Sequence, residues 1–243
     1  MKKHSIVTLM AIAAIAFFTF SCKNEDLTNK NEIIAKDVLY SIDNIATVKA
    51  LVEDPETWDE VEIASCKYEN DGFKLKLPKT VSDEYLFEID TDEEVEEWVT
   101  VSDPKAKLST VWFFGYNEKG KEIGTFYHMG YNMRYYASAV YIYSDRKFTI
   151  KGTYEDEDEY SEIVDCKFNK GWNVLYIVEQ EYPPYQFTVT TQKPSEVKME
   201  WIFDQYYHWE DGKGDVKKSL QFRDIINKLK LSIQNEKSKQ AKQ

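Results

Sequence analysis

The stretch from Thr47 to Leu77, TVKALVEDPETWDEVEIASCKYENDGFKLKL, decides the fold of this chain because a loose copy of it returns between Thr149 and Tyr176. The copy reads TIKGTYEDEDEYSEIVDCKFNKGWNVLY. With small gaps, Cys66 aligns with Cys166 and Gly72 with Gly171. A repeat of this length indicates two domain-sized units rather than a solenoid.

Both copies alternate apolar and polar residues with a period of two, which is typical of half-buried β-strands. The residues expected on the core side are Ala64, Cys66 and Tyr68 in the first copy and Val164, Cys166 and Phe168 in the second. Gly72 and Gly171 each follow a polar pair, and we expect them to supply the positive φ of a tight hairpin. The pattern therefore predicts that both cysteines point into a core.

The repeat extends beyond these strands, because Trp112 and Phe114 after Pro104 correspond to Trp201 and Phe203 after Pro194. Turn signals between short strands predict an all-β chain of two tandem antiparallel β-sandwich modules, spanning residues 36–136 and 137–223. Residues 224–243 are predicted to hold a short amphipathic helix and a basic tail.

The run Gly-Phe-x-Leu-x-Leu-Pro at Gly72–Pro78 resembles the transthyretin-like, peptidase-regulatory β-sandwiches of bacterial secreted proteins. In the second copy, Gly171 and Trp172 keep the turn but the Leu-Pro ending is absent. The resemblance implies the same β-sandwich fold for the modules.

The N-terminal sequence predicts where in the cell the protein is located. Residues 1–21 combine a basic start with an apolar run from Ile6 to Phe20, as in a secretory signal peptide. Cys22 directly after Ser21 resembles the lipidation site of bacterial lipoproteins, which implies an acylated cysteine held in the membrane. The alternative is an ordinary signal peptide followed by an incidental cysteine.

The residues after Cys22 refine this prediction. Lys23–Asp26 resembles the acid-rich signal that sends lipoproteins of Bacteroidota-type bacteria to the outer face of the outer membrane. Residues 22–35 are then a polar tether. The resemblance implies an outer-membrane protein that is lipid-anchored and exposed at the cell surface.

Charge argues against nucleic acid as a partner. The full chain has a net charge of −12, and its basic residues are concentrated after Lys213. An acidic body offers no basic stripe to displace phosphate counterions. The basic end either touches lipid headgroups or remains in solvent.

Motifs for catalysis, cofactors and metals are weak. Gly115–Lys121 has the spacing of a phosphate-binding loop, but Glu122 stands where Ser or Thr would hold magnesium. The acidic run at Asp90–Glu94 lacks the glycine and glutamate of an EF-hand, which leaves solvated loops or a weak calcium site of another geometry. His128 and His208 belong to no catalytic motif. We therefore expect a chain that is not an enzyme and has no cofactor or metal site.

Aromatic residues outside the predicted strand cores are the candidate binding surface. They are Trp98, Tyr131, Tyr182, Tyr185, Tyr206, Tyr207 and Trp209. The alternative is that these rings are partly buried at loop bases. We expect a non-enzymatic protein with an interaction or accessory role in the cell envelope; the alternative is a glycan-binding lipoprotein associated with a polysaccharide uptake system.

The cysteines give a first prediction. Cys66 and Cys166 occupy equivalent positions of separate modules, and a disulfide needs Cα atoms within about 7 Å. We expect two free thiols in the form lacking residues 1–22. A thiol titration of the denatured, unreduced protein that returned fewer than two would contradict this.

Overall fold

The computed structural model describes residues 31–89, 98–155 and 160–205. Strand is the main secondary structure in these ranges, and the 3₁₀ turn Asp83–Tyr85 is the single helical element in them. The strands are β1 (Glu32–Ala35), β2 (Thr47–Glu53), β3 (Glu60–Glu69), β4 (Gly72–Lys76), β5 (Phe87–Glu88), β6 (Val99–Val101), β7 (Lys107–Tyr116), β8 (Glu122–Tyr131), β9 (Tyr135–Ser144), β10 (Phe148–Glu155), β11 (Tyr160–Phe168), β12 (Gly171–Gln180), β13 (Tyr185–Thr190) and β14 (Glu200–Gln205). The all-β prediction is confirmed. Cys22 and the predicted C-terminal helix lie outside the described residues.

All 14 strands belong to one sheet. Its main path is β1-β4-β3-β2-β7-β8-β9-β12-β13-β11-β10-β6, while β14 pairs with β8 and β5 pairs with β7. Pairing crosses the predicted boundary between residues 136 and 137 in both directions. Strand β6 of the first copy pairs with β10, and β14 of the second copy pairs with β8. The described strands therefore do not divide into one sheet for each copy.

Strands β7, β8 and β9 form a three-way junction. The C-terminal part of β7 pairs with the start of β8, the end of β8 pairs with the start of β9, and the end of β9 pairs with the start of β7. All three pairings are antiparallel, which three strands lying flat side by side cannot satisfy. Each strand therefore separates from one neighbour partway along its length and joins the other.

The turn after β3 differs from the prediction. Asn70 and Asp71 adopt the positive φ of the hairpin, whereas Gly72 does not. A Cβ on Gly72 would lie 2.3 Å from the carbonyl oxygen of Ala35. Glycine is thus required here because β1 lies directly against it, and the turn geometry is supplied by the two polar residues.

The second predicted hairpin is wrong. Gly171 has the expected positive φ, but β11 and β12 do not pair with each other. Strand β12 pairs with β9 along ten residues, and β13 lies between β12 and β11, parallel to β11. The turn at Gly171 therefore joins strands that have separate partners, a choice that local sequence does not determine.

Buried apolar side chains form two clusters, which we call the first and second cores. Leu75, Phe113 and Trp201 are members of the first core, and Val164, Cys166 and Phe168 are members of the second. The first core is not built from the first copy alone, since Trp201, one of its members, lies in the second copy. Cys66 packs against the first core but is only half-buried, whereas Cys166 is fully buried. Both are free thiols, with a pKa raised by burial to about 11 and about 12, respectively.

Strand β9 lies between the two cores. Ile142 is buried in the second core, while its neighbour Tyr143 is buried in the first. Strand β12 behaves likewise, since Trp172 joins the first core and Leu175 the second. The indole nitrogen of Trp172 also donates a 2.7 Å hydrogen bond to the carbonyl oxygen of Pro78, across the two copies. A strand buried on both faces needs apolar residues at consecutive positions, as in Ala-Val-Tyr-Ile-Tyr of β9.

The close contact at Gly72 gives a testable consequence. We expect Gly72→Ala to lower the free energy of unfolding by roughly 2–3 kcal/mol, because the new methyl group overlaps the β1 backbone. Gly120→Ala is the control, since Gly120 has a positive φ but nothing within 4 Å of a built Cβ, and it should cost about 1 kcal/mol. Urea unfolding monitored by tryptophan fluorescence measures both. An equal or smaller cost at Gly72 would contradict the packing of β1 on this turn.

Candidate functional site

Aromatic side chains gather at one end of the sheet, where seven strands end or begin together. We call this set the aromatic rim; its members are Trp98, Tyr131, Tyr136, Tyr154, Tyr182 and Tyr185. Strand register brings them to the same end. Tyr131 pairs with Tyr136, Tyr135 pairs with Gln180, and Gln180 pairs with Gln186 beside Tyr185. The rim thus joins residues that are distant in sequence.

The other side of the rim continues across β11 and β10. Tyr185 pairs with Tyr160, and Ser161 pairs with Glu155 beside Tyr154. The rings of Trp98 and Tyr154 lie 6.0 Å apart. Four of the seven predicted aromatics, Trp98, Tyr131, Tyr182 and Tyr185, therefore fall at one end of the sheet.

Three rim tyrosines expose most or nearly half of their surface. Tyr131 is 66% exposed, Tyr182 58% and Tyr185 46%. Met133, between the first of these and Tyr135, is 84% exposed. Large exposed side chains of this kind mark interaction surfaces when they are grouped rather than scattered.

Trp98 plays a different part from the one predicted. Its ring packs over Gly152, where a Cβ would lie 3.0 Å from Cε3 of the indole. Trp98 also packs against the second core, as Phe187 does. Trp98 therefore closes the end of this core, which is the partial burial that the sequence left open as an alternative.

Two ordered loops hold the exposed tyrosines. The side-chain amide of Gln180 donates to the carbonyl oxygens of Tyr182 and Pro184, and it is itself buried. Asn132 Oδ1 accepts from the backbone N–H of Arg134 and Tyr135, at 2.8 Å and 2.9 Å. These bonds fix the path of each loop without using the tyrosine side chains.

The two loops are also tied to each other and to the rest of the fold. The N–H of Glu181 donates to the carbonyl oxygen of Arg134 at 2.9 Å. Asn132 Nδ2 donates to the carbonyl oxygen of Glu196 at 2.7 Å, which anchors the first loop to the segment before β14. The rings are therefore carried by a preorganised backbone, which reduces the entropy lost when a partner binds.

Carboxylates accompany the aromatic rings. Glu179 lies opposite Tyr136 in the β9–β12 pairing. Burial raises the pKa of Tyr136, and Glu179 raises it further. Glu162 is buried, and its Oε1 accepts a 2.6 Å hydrogen bond from the hydroxyl of Tyr160. The carboxylate of Glu179 thus lies among the rings of the rim, whereas Glu162 is buried and bonded to Tyr160.

The remaining candidates lie elsewhere. Tyr206, Tyr207 and Trp209 fall outside the described residues. Gln205, the last described residue, pairs with Gly124, at the opposite end of β8 from Tyr131. Cys22 also lies outside the described residues, so its lipidation stays a prediction.

Sequence reasoning missed Tyr136 and Tyr154 as rim residues, since both fall inside strands. The side of the sheet on which Tyr136 lies follows from the alternation along β9, because Tyr136 is an even number of residues from the buried Val140 and Ile142; it pairs with Glu179 of β12. That phase was readable from the sequence. Their position at a common sheet end was not, because it depends on pairing between distant strands.

His128 occupies the three-way junction rather than the rim. Its Nδ1 lies 2.9 Å from the hydroxyl of Tyr141, and its ring stacks on Trp201 at 4.9 Å with an interplanar angle of 8°. Phe113 meets both Tyr141 and Trp201 edge-on. Burial and, to a smaller extent, the charge of Lys193 lower the pKa of His128 to about 4. The neutral imidazole is therefore part of an aromatic stack.

A cavity of about 500 Å³ lies at the sheet end opposite the rim, lined by residues that include Tyr143, Arg146 and Lys170. Arg146 donates to Asp145 Oδ2 through Nε and Nη2, at 2.9 Å and 2.8 Å. This guanidinium is thus occupied by a neighbouring carboxylate. Within residues 31–89, 98–155 and 160–205, no group of three His, Cys, Asp or Glu side chains is placed to hold a metal ion.

No protein-family model, curated protein or solved structure matches this chain. In the part of the chain that the structure describes, there is no helix with the length and apolar character needed to span a bilayer.

The stack at His128 predicts a pH dependence. Its folded pKa of about 4 lies below the ordinary value of 6.5, so the unfolded chain binds a proton that the folded chain does not. The stability gained from the neutral ring is complete above pH 6.5 and is lost as the pH falls towards 4. The loss is at most about 3 kcal/mol, because a tenfold change in the proton affinity of a group corresponds to about 1.4 kcal/mol.

His128→Gln removes this titration and leaves every carboxylate in place. We expect its free energy of unfolding to fall less steeply than that of the wild type between pH 6.5 and pH 4, measured by urea unfolding at each pH. Parallel profiles for the two proteins would contradict a depressed pKa at His128.

Proposed function

We propose that this protein is a non-enzymatic, lipid-anchored binding protein of the bacterial cell envelope, and that the aromatic rim is its contact surface. The observation that carries this proposal is the convergence of Tyr131, Tyr182 and Tyr185, all exposed, at one end of the sheet. Tyrosine offers a large contact area and a polar hydroxyl at low entropic cost, and for this reason it is enriched at interfaces.

The anchor and the rim belong to one arrangement in this proposal. The signal-like residues 1–21, the following Cys22 and the acid-rich Lys23–Asp26 support export, acylation and display on the outer membrane. The tether predicted over residues 22–35 is shorter, because Glu32–Ala35 form β1; ten residues, from Cys22 to Asn31, then separate the lipid from the sheet. A segment of this length reaches at most about 35 Å when fully extended.

The proposal includes the finer architecture expected from the repeat. Each copy supplies most of one β-sandwich-like core, and the two cores share β9 and β12 as a common wall. Phe222–Ile233 adds a short amphipathic helix, as the spacing of Ile225, Ile226 and Leu229 favours. The resemblance of Gly72–Pro78 to transthyretin-like domains supports a non-catalytic scaffold.

A second candidate function is glycan binding beside a polysaccharide uptake system. The exposed side chains of Tyr131, at the end of β8 beside the turn held by Asn132, and of Tyr182, in the loop held by Gln180, favour this candidate. Flat apolar rings bordered by polar groups are the surface that sugar rings stack on.

The rim can be tested without knowing the partner. The full mature chain, carrying Cys22→Ser so that it is soluble, is mixed with envelope fragments from cells of the source bacterium that lack the protein, and retention is measured by sedimentation. We expect Tyr131→Ala with Tyr182→Ala to reduce binding at least tenfold. Tyr40→Ala, at an exposed ring outside the rim, is the control and should leave binding unchanged. Equal retention of all variants would contradict the assignment of the rim.

The anchor is tested in cells. We expect the wild type in the membrane fraction and accessible to protease on intact cells, and Cys22→Ser in the soluble fraction, because only an acylated residue holds the chain to the bilayer. Cys66→Ser is the matched cysteine control and should remain in the membrane. Glu25→Ala with Asp26→Ala should stay in the membrane but lose surface exposure. A membrane-bound Cys22→Ser protein would contradict the lipid anchor.

A further inference from the structure

The geometry of the rim points to a ligand class, and we propose that it binds a neutral carbohydrate chain that runs across the strands. This inference depends on the proposed role of the rim as a contact surface and goes further by naming what is bound. The chain would pass from Tyr131, over the start of β9 and the end of β12, to Tyr185.

The spacing of the rim suits a repeating ligand. Strands β8, β9, β12 and β13 are consecutive neighbours, so the path from Tyr131 to Tyr185 crosses three strand spacings, about 14 Å in all. One strand spacing, about 5 Å, is close to the length of one sugar unit in an extended chain. Rings on nearby strand ends can therefore stack on different units of one chain.

The chemistry of the rim suits sugars because polar groups alternate with the rings. In sequence, Arg134, Glu179 and Glu181 lie between the tyrosines, and Gln186 follows Tyr185. A pyranose ring presents C–H groups on its faces and hydroxyl groups at its edge. Stacking on tyrosine covers the faces, the carboxylates of Glu179 and Glu181 accept hydrogen bonds at the edge, and the guanidinium of Arg134 donates them, so few polar groups remain unpaired.

The same alternation argues against a protein as the principal ligand. Stable protein interfaces need an apolar centre from which charged groups are largely excluded. Here Arg134 and Glu181 lie between the exposed rings, and their backbones are joined by the 2.9 Å hydrogen bond between the two loops. Removing these charges from water would oppose protein docking, whereas a solvated carbohydrate leaves them hydrated.

Charge further restricts the ligand. Glu179 and Glu181 lie at or beside the rim, and Arg134 is the basic residue within its two loops, with its guanidinium 5.6 Å from the ring of Tyr135. Chains that carry sulfate, phosphate or uronic acid groups would be repelled by these carboxylates. A neutral polysaccharide is the class that remains.

The test uses the full mature chain with Cys22→Ser and affinity electrophoresis in gels that contain one soluble polysaccharide each. The neutral probes are β-glucan, mannan, galactan, xylan and starch, and the acidic probes are pectin and alginate. We expect retardation by at least one neutral probe and by neither acidic probe. Tyr131→Ala and Tyr182→Ala should each raise the Kd at least tenfold, which corresponds to about 1.4 kcal/mol.

Matched variants separate stacking from hydrogen bonding. Tyr182→Phe keeps the ring and should retain most of the affinity, while Tyr40→Ala should retain all of it. The exposure of Tyr131 and Tyr182, and the backbone bonds that hold their loops, make both alanine variants safe for folding, and circular dichroism verifies this. No retardation by any neutral probe, retardation by acidic probes alone, or affinity unchanged in the alanine variants would each overturn the carbohydrate inference. Rim-dependent retention by envelope fragments would in that case still support the proposed function.

Discussion

The whole described structure depends on one wall of strands that is buried on both faces. Strands β9 and β12 pair along ten residues, with Tyr143 and Trp172 facing the first core and Ile142 and Leu175 facing the second. A strand in this position cannot present a polar face without leaving unpaired groups in an apolar core. The wall therefore imposes continuous apolar sequence on its members and couples the packing of the two cores.

The three-way junction allows β9, one of the two strands of the wall, to contact both cores. Strands β7, β8 and β9 exchange partners around the stack of Phe113, His128, Tyr141 and Trp201, and Trp201 comes from β14, far along the chain. Aromatic pairs in edge-to-face and stacked arrangements contribute roughly 0.5–1.5 kcal/mol each beyond area burial. Strands β8 and β9 each pair with β7 at one end. Their other ends are joined by the turn at Asn132, beside Tyr131 of the rim. Packing at the junction and the position of the binding surface are thus linked through the same strands.

Local sequence predicted which side of a strand is buried better than it predicted which strands pair with each other. The period of two correctly predicted that Cys166 and Phe168 are buried. For the loop aromatics the sequence left open exposure or partial burial, and in the structure Tyr131, Tyr182 and Tyr185 are exposed. Local sequence wrongly predicted a hairpin at Gly171, because contacts between residues distant in sequence determine whether β12 pairs with β11 or with β9. The same limit hid the gathering of the rim and the packing of the Trp98 ring against Gly152.

The central claim is that the two copies of the repeat form one interlocked unit through the shared wall. Differential scanning calorimetry of the full mature chain carrying Cys22→Ser tests it most directly. A shared wall predicts a single transition whose calorimetric enthalpy equals the van't Hoff enthalpy, because neither core can lose β9 and β12 alone. Two separable transitions, or a calorimetric enthalpy about twice the van't Hoff value, would show that the copies unfold independently and would contradict the account.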